Sequence, residues 1–253
     1  MKVSVVTAVF NRAGTVAEAI DSVHTQSWVD VEHVIQDGGS TDGTVAIIQQ
    51  CARANTSIVS ESDCGIYDAI NRGIKRATGD IIGLMHSDDV FAHAHVLEKV
   101  ATAFANPAVD GVYGDLQYVA ADDPNRVIRY WRSGEYRPEL LARGWMPPHP
   151  TLYLRREIFD RFGLYDTSFR IAADYDAMLR YLVKGQIKLA YIPEVLVKMR
   201  VGGESNRSIE RILLKSREDL RALRNNGVGG LGTLAAKNFS KISQFLIKDN
   251  HSA

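Results

Sequence analysis

An α/β fold built on a mostly parallel sheet is what this 253-residue sequence predicts, on three observations. Short apolar runs of strand length alternate with apolar stripes of helical period from residue 2 to residue 85. Strict alternation of this kind places helices on both faces of a parallel, doubly wound sheet. The apolar runs also end, one after another, in carboxylate or amide side chains: Asn11, Asp37, Asp63, and the pair Asp88 and Asp89. In such sheets ligands bind beyond the carboxyl ends of the strands, so four polar strand ends in succession point to one site.

The elements follow in order. Residues 2–9 are apolar and β-branched, a buried first strand too short for a signal peptide. After a turn over 11–15, Val16, Ala19, Ile20 and Val23 repeat at helical spacing. Residues 31–36 form a second strand that runs into Asp37-Gly38-Gly39-Ser40, and Thr41 or Asp42 is placed to cap a helix reaching about residue 53. A short strand at 57–60 precedes the clearest helical stripe, Ile66, Ala69, Ile70, Gly73, Ile74 and Ala77. The strand at 80–85 then stops at Asp88-Asp89. Beyond residue 110 the pattern changes to strands at 111–119 and 127–131 around the polar turn 121–125. A rigid Met146-Pro147-Pro148-His149-Pro150 loop follows, then a strand at 151–154 and helices at 155–162 and 174–183. Short strands at 187–191 and 195–199 come next. A charged amphipathic helix (208–224), a glycine-rich linker (227–232) and a last helix (234–247) close the chain.

Composition narrows the function. Apolar residues make up 45% and charged residues 24% of the chain, and the formal net charge is zero. These are ordinary globular values with no bias toward nucleic acid. Residues 1–110 nevertheless hold seven Lys and Arg against fourteen Asp and Glu, whereas residues 205–253 hold nine against four. An acidic half needs a cation to hold an anionic ligand, and a basic tail suits an anionic surface. Cys51 and Cys64 have no metal-ligand spacing and read as reduced thiols, consistent with the cytoplasm. No run approaches the roughly 18 apolar residues of a spanning helix.

Two adjacent carboxylates repel each other unless a cation lies between or beside them. Hard oxygen ligands at a strand end suit Mg²⁺ or Mn²⁺, which bind through one or two carboxylates together with substrate phosphates. A zinc site at His86, His93 and His95 is disfavoured, because His93 and His95 are two apart and face different ways. Gly38-Gly39-Ser40 is not a dinucleotide fingerprint, and neither a P-loop nor a G-x-S-x-G elbow occurs.

Five segments in order carry a resemblance: Val-Ser-Val-Val-Thr-Ala-Val-Phe-Asn-Arg (3–12), Gln-Asp-Gly-Gly-Ser-Thr-Asp-Gly-Thr (36–44), Ser-Asp-Cys-Gly-Ile-Tyr-Asp-Ala-Ile-Asn-Arg-Gly-Ile (62–74), Ser-Asp-Asp (87–89) and Ala-Asp-Tyr-Asp (173–176). Over residues 2 to 205 the chain resembles family 2 glycosyltransferases of the GT-A fold. The resemblance implies a Rossmann-like, mostly parallel nucleotide-binding sheet merged with a smaller mixed half. A GT-A domain over 1–205 would comprise a nucleotide-sugar half (1–110) and an acceptor half (111–205), with a helical extension at 206–253.

The implied reaction is inverting transfer of a sugar from a nucleoside diphosphate, UDP first and GDP or dTDP behind, to an acceptor hydroxyl. The setting would be cell-surface polysaccharide or lipid-linked glycan assembly. Carried over, Asp37 contacts the base, Asp63 is a second nucleotide contact, Asp88 lies near the ribose and Asp89 reaches the Mg²⁺ or Mn²⁺. Thr7, Asn11 and Arg12 line the nucleotide pocket; His149, fixed between Pro148 and Pro150, is placed by its rigid loop rather than by the resemblance to contact acceptor or phosphate. Asp174 is the general base, with Asp176 holding the acceptor or capping the helix. Two positions apart on a helix, these two point about 200° apart, so only one faces the donor.

One departure stands out. Relatives carry a late metal-binding His where this chain has Val201-Gly202-Gly203-Glu204-Ser205, which leaves Glu204 or water to complete the shell. Two other functions share parts of the pattern. A sugar-nucleotide pyrophosphorylase would have glycine in the first loop, absent from residues 7–12. A non-catalytic nucleotide- or glycan-binding protein would have lost some of the acidic motif residues, all of which are present.

The tail has two readings. Leu234, Phe239, Ile242, Phe245, Leu246 and Ile247, flanked by Lys237, Lys241 and Lys248, could rest residues 233–253 on the inner face of a membrane. The same apolar side could instead pack on the core or on a second subunit of a homo-oligomer.

Overall fold

The computed structural model describes residues 1–202 and 209–243, with side chains described through 202 and from 210 to 238. Four strands, β1 (Val3–Val9), β2 (Val31–Asp37), β3 (Thr56–Ser60) and β4 (Ile81–Leu84), run parallel in the order β3-β2-β1-β4. Between them lie α1 (Val16–His24), α2 (Thr44–Cys51) and α3 (Ile66–Arg76). Nearly every residue of β1 and β4 is buried, as expected for strands covered on both faces. Val9 pairs with Asp37 and Asp37 with Ser60, so the carboxyl ends of β1, β2 and β3 come level along one edge.

The period of α3 fixes how it packs. Tyr67, Ile70 and Ile74 are buried against the sheet, each aliphatic side chain contributing roughly 1.5–3 kcal/mol. Gly73 lets the helix come close, since a Cβ there would lie 2.4 Å from a Val6 methyl.

The sheet changes character beyond β4. The next neighbour, β8 (Tyr153–Arg155), is antiparallel to both β4 and β6 (Gly111–Val119). Along its length β6 pairs in parallel with β9 (Leu189–Arg200), and its far end pairs with the hairpin strand β7 (Val127–Trp131). One strand was not foreseen, the two-residue β5 (Val90–Phe91), which joins β9 just after the acidic pair; α4 (Val96–Ala103) follows, with His93 and His95 at its start as the sequence suggested. The two short strands expected at 187–199 are a single strand with register shifts opposite Gly114 and Asp115, where Pro193 lacks the N–H that a regular ladder needs.

After α5 (Arg156–Phe162), the expected 174–183 helix is α6 (Ala173–Leu179) continued by a π-turn over Arg180–Lys184. The last two helices, α7 (Ile209–Asn225) and α8 (Leu231–Ser243), pack on each other; α7 also packs on α6. Among the described residues no helix is long and apolar enough to cross a membrane.

Candidate active site

The loops after β1, β2 and β3 are tied together by the motif residues themselves. Asn11, in left-handed backbone at φ 51°, accepts the Thr41 N–H at 2.9 Å, and its own N–H donates to Ser40 Oγ at 2.8 Å. Asp37 is fully buried. Its carboxylate accepts the N–H groups of Gly39 and Ser40 and the hydroxyls of Ser40 and Ser60. Thr7 is buried as well, with its hydroxyl 2.9 Å from His33 Nε2. None of these three lines the cavity at the strand ends. In the structure Thr7 sits in the core, Asn11 clasps two loops, and Asp37 braces the turn that borders the cavity through Gly38 and Gly39.

Asp63 does face the cavity. Its Oδ1 accepts the Gly65 N–H at 2.8 Å, and its Oδ2 lies where a side chain at position 38 would stand, 2.4 Å from a Cβ built on Gly38. Glycine at 38 thus makes room for the carboxylate. Phe10, 55% exposed, lines the cavity beside them, a residue that the sequence hid within an apolar run.

The acidic pair divides. Asp89 is 2% exposed and accepts the Arg200 N–H of β9 at 3.0 Å. Burial, and then the charge of Asp88, hold its carboxyl well above the usual range, against the pull of Arg200. Asp88, its side chain 31% exposed, stands 4.0 Å from the Arg12 guanidinium, which lines the cavity. One oxygen of Asp89, expected at the metal, is thus tied to β9, and Asp88 is the more exposed carboxylate of the pair.

Among the described residues no three His, Cys, Asp or Glu side chains converge as a metal cage. An ion of the Mg²⁺ type does not require one, because phosphates and water complete its shell. The hard, outward oxygens of Asp88 fit that donor set. Glu204 lies outside the described residues.

From α6, Asp174 also lines the cavity. The Tyr67 hydroxyl, which donates to the Ile171 carbonyl at 2.6 Å, is 3.2 Å from Asp174 Oδ1. Asp176 points away, as the helical offset requires: it is 6% exposed and accepts from Asn226 Nδ2 at 3.0 Å. In the structure Asp176, expected at the acceptor, ties α6 to Asn226, just past the end of α7.

His149 lines the cavity, 3.0 Å from the Tyr165 hydroxyl, with its ring 5.8 Å from that of His86. Burial lowers its pKa to about 4, with Asp174 opposing and His86 adding to the shift. His86 is lowered by burial too, against Asp88 and Asp174. Both rings are neutral at neutral pH and can donate or accept one hydrogen bond without adding charge.

The remaining wall comes from parts of the chain with no motif: Leu116, Tyr118 and Trp131 from the β6–β7 hairpin, and Lys215 and Lys237 from α7 and α8. Lys237, expected beside a membrane-facing stripe, is 4% exposed. It pairs with buried Asp219 at 2.8 Å and sits 3.2 Å over the Tyr175 ring. Phe239 and the apolar residues after it lie outside the described side chains. The whole cavity measures about 1180 Å³, more than a single drug-sized ligand fills.

The sequence model of the family described as "Glycosyl transferase family 2" matches residues 4–171, which hold every donor-side residue above and stop short of Asp174. The chain is similar to a PGL/p-HBAD biosynthesis glycosyltransferase of Mycobacterium bovis, 29% identical over 217 residues that cover 84% of this chain and 82% of that protein. Among solved structures it is similar to a mannosyltransferase of Pyrobaculum calidifontis in complex with GDP-Man and Mn²⁺. That match has a TM-score of 0.68 at 19% identity over 96% of this chain and 70% of the other. Staphylococcus aureus TarS in complex with UDP-GlcNAc matches at 0.68 and 17%, over 90% and 66%. At such identities the likeness carries the fold, the GT-A arrangement.

Proposed function

The chain belongs to glycosyl transferase family 2, and from that premise we propose that it is an inverting transferase moving a sugar from a UDP-linked donor to the hydroxyl of a glycan or lipid-linked acceptor. The observation that supports this best is that Asp63 and Asp174, from separate elements, line one cavity large enough for donor and acceptor together. Neighbouring folds hold GDP-Man and UDP-GlcNAc, so the base remains the first thing to test.

In this reading Asp63 accepts from the base while Phe10 covers its face. Arg12 and Asp88 lie at the diphosphate, with Asp88 holding Mn²⁺ or Mg²⁺. The ion, when bound, neutralises charge that develops on the leaving diphosphate. Asp174 faces the acceptor hydroxyl, a poor nucleophile at neutral pH, and takes its proton as the new bond forms at the anomeric carbon. Attack from the side opposite the diphosphate inverts that carbon. His86 and His149, uncharged, orient hydroxyls of the bound sugars. Cell-surface polysaccharide or lipid-linked glycan assembly is the setting that such acceptors imply.

The test is release of nucleoside diphosphate from a panel of UDP-, GDP- and dTDP-sugars, each offered with aryl glycoside acceptors and Mn²⁺. Transfer from one donor class, lowered at least about a hundredfold in Asp174→Asn with donor affinity intact, supports the reading. Release of pyrophosphate, or donor binding without turnover in any combination, overturns it.

A further inference from the structure

The segment that leads into α6 has no cap of its own. Its N-cap residue is Ala172, whose methyl accepts no hydrogen bond, whereas helices ordinarily begin at Ser, Thr, Asp or Asn. The partner comes from 46 residues further on. Glu218, midway along α7 and 7% exposed, accepts the Arg170 N–H with Oε1 at 2.8 Å. Its Oε2 accepts those of Ile171 and Ala172 at 2.8 and 3.0 Å.

Charge-assisted bonds of this length are among the stronger ones in proteins. Three donors from consecutive peptides fix both the direction and the register of the chain that enters α6. The Ile171 peptide is gripped on its other side as well, since its carbonyl takes the Tyr67 hydroxyl, which lies 3.2 Å from Asp174. Two further grips, Arg221 on Ser168 and Asn226 on Asp176, hold the same segment to α7.

We infer that Glu218 is a positioning residue for the transfer step: through residues 170–172 it sets where Asp174 meets the acceptor hydroxyl. This rests on Asp174 being the base. Glu218 lies beyond the stretch that the family model covers, and it belongs to α7, outside the strand-end loops that hold the donor. Its effect should therefore fall on proton removal and not on donor binding. Small misplacements of a reacting group are costly, an ångström being worth on the order of a hundredfold in rate.

Glu218→Gln tests this without a change of size, because an amide nitrogen must then face an N–H. Kinetics use the donor and aryl glycoside identified by the panel, UDP affinity with Mn²⁺ is read by calorimetry, and the melting temperature is followed alongside. The expected result is a kcat at least tenfold lower, with donor KM within threefold and UDP affinity within twofold of wild type. In the double variant with Asp174→Asn, no further loss beyond Asp174→Asn alone is expected, as for two residues acting through one step.

A folded Glu218→Gln with kcat within twofold of wild type, beside an Asp174→Asn slowed about a hundredfold or more, overturns the positioning role and leaves the base standing. Full additivity in the double variant also overturns it. Normal transfer by Asp174→Asn removes the base assignment, and this inference falls with it. If Glu218→Gln melts below the assay temperature, Tyr67→Phe loosens the same peptide from the other side. It should show the same split between kcat and KM, and an unchanged kcat there overturns the chain of contacts.

Discussion

Asp88 and Asp89 are neighbours in sequence with opposite surroundings, one beside Arg12 at the cavity and the other closed over by β9. Asp88→Asn should lower UDP affinity at least tenfold in the presence of Mn²⁺ and change it little in EDTA; calorimetry under both conditions checks this, and equal affinity in both variants and buffers would place the ion elsewhere. Asp89→Ala should instead cost about 1–3 kcal/mol of stability, the penalty for leaving the buried Arg200 N–H unpaired, with nucleotide affinity preserved in the folded fraction. Asp63→Ala should weaken UDP binding by a similar 1–3 kcal/mol, and titration with UDP showing no change rules out its base contact. The sequence marks all these carboxylates alike, because a strand end tells that a side chain is near the site and not which way it turns. Asp37 and Asp63 illustrate the difference. Asp37 is followed by Gly39 and Ser40, whose N–H groups fold back on it. Asp63 is left facing outward because position 38 has no side chain. That second fact joins two loops 25 residues apart, and no single-sequence pattern contains it.

Elements were easier to read than residues wherever the pattern was local. The β-α-β alternation through β4 rests on runs of four to eleven residues, each with its own period, and the structure places them as expected. The register of β6 with β9, about 80 residues apart, leaves no such trace, and β5 is too short to show one. Between elements, β1 and β2 are joined by the buried Thr7–His33 contact, with His24 3.4 Å from the other ring nitrogen. Burial, and secondly His24, lowers His33 to about 3. A histidine that is depressed in the fold and near 6.5 when unfolded contributes stability that is complete above pH 6.5. That contribution falls away as pH drops toward 3, by up to about 1.4 kcal/mol per pH unit. His33→Gln, which can keep the Thr7 bond, should flatten the decline in denaturant midpoint between pH 6.5 and 4.5. An identical decline in both proteins would show that acid acts elsewhere, His149 being the next group to examine.

For the molecule as a whole, α7 and α8 form a wall of the cavity. Lys237→Ala would strand Asp219, 2% exposed, without its cation, at a cost of about 3–5 kcal/mol. A fall in melting temperature of roughly 10 °C is expected for a chain of this size, and a fall of under 2 °C would show that the pair carries little. The sequence displayed Lys237 as one cation along an amphipathic helix. Only packing against residue 144, where a Cβ would lie 2.4 Å from that of Lys237, reveals that it faces inward. The grip of α7 on residues 166–176 also has a consequence in time. Chains emerge amino end first at roughly 5–20 residues per second, so the donor loops, complete by residue 89, precede Glu218 by roughly 6–26 seconds at that rate. The parallel half joins strands as far apart as Val3 and Ile81, yet all four of its strands are made before Glu218. A nascent chain should therefore pass through an interval in which it can hold a nucleotide sugar but has no fixed base with which to spend it.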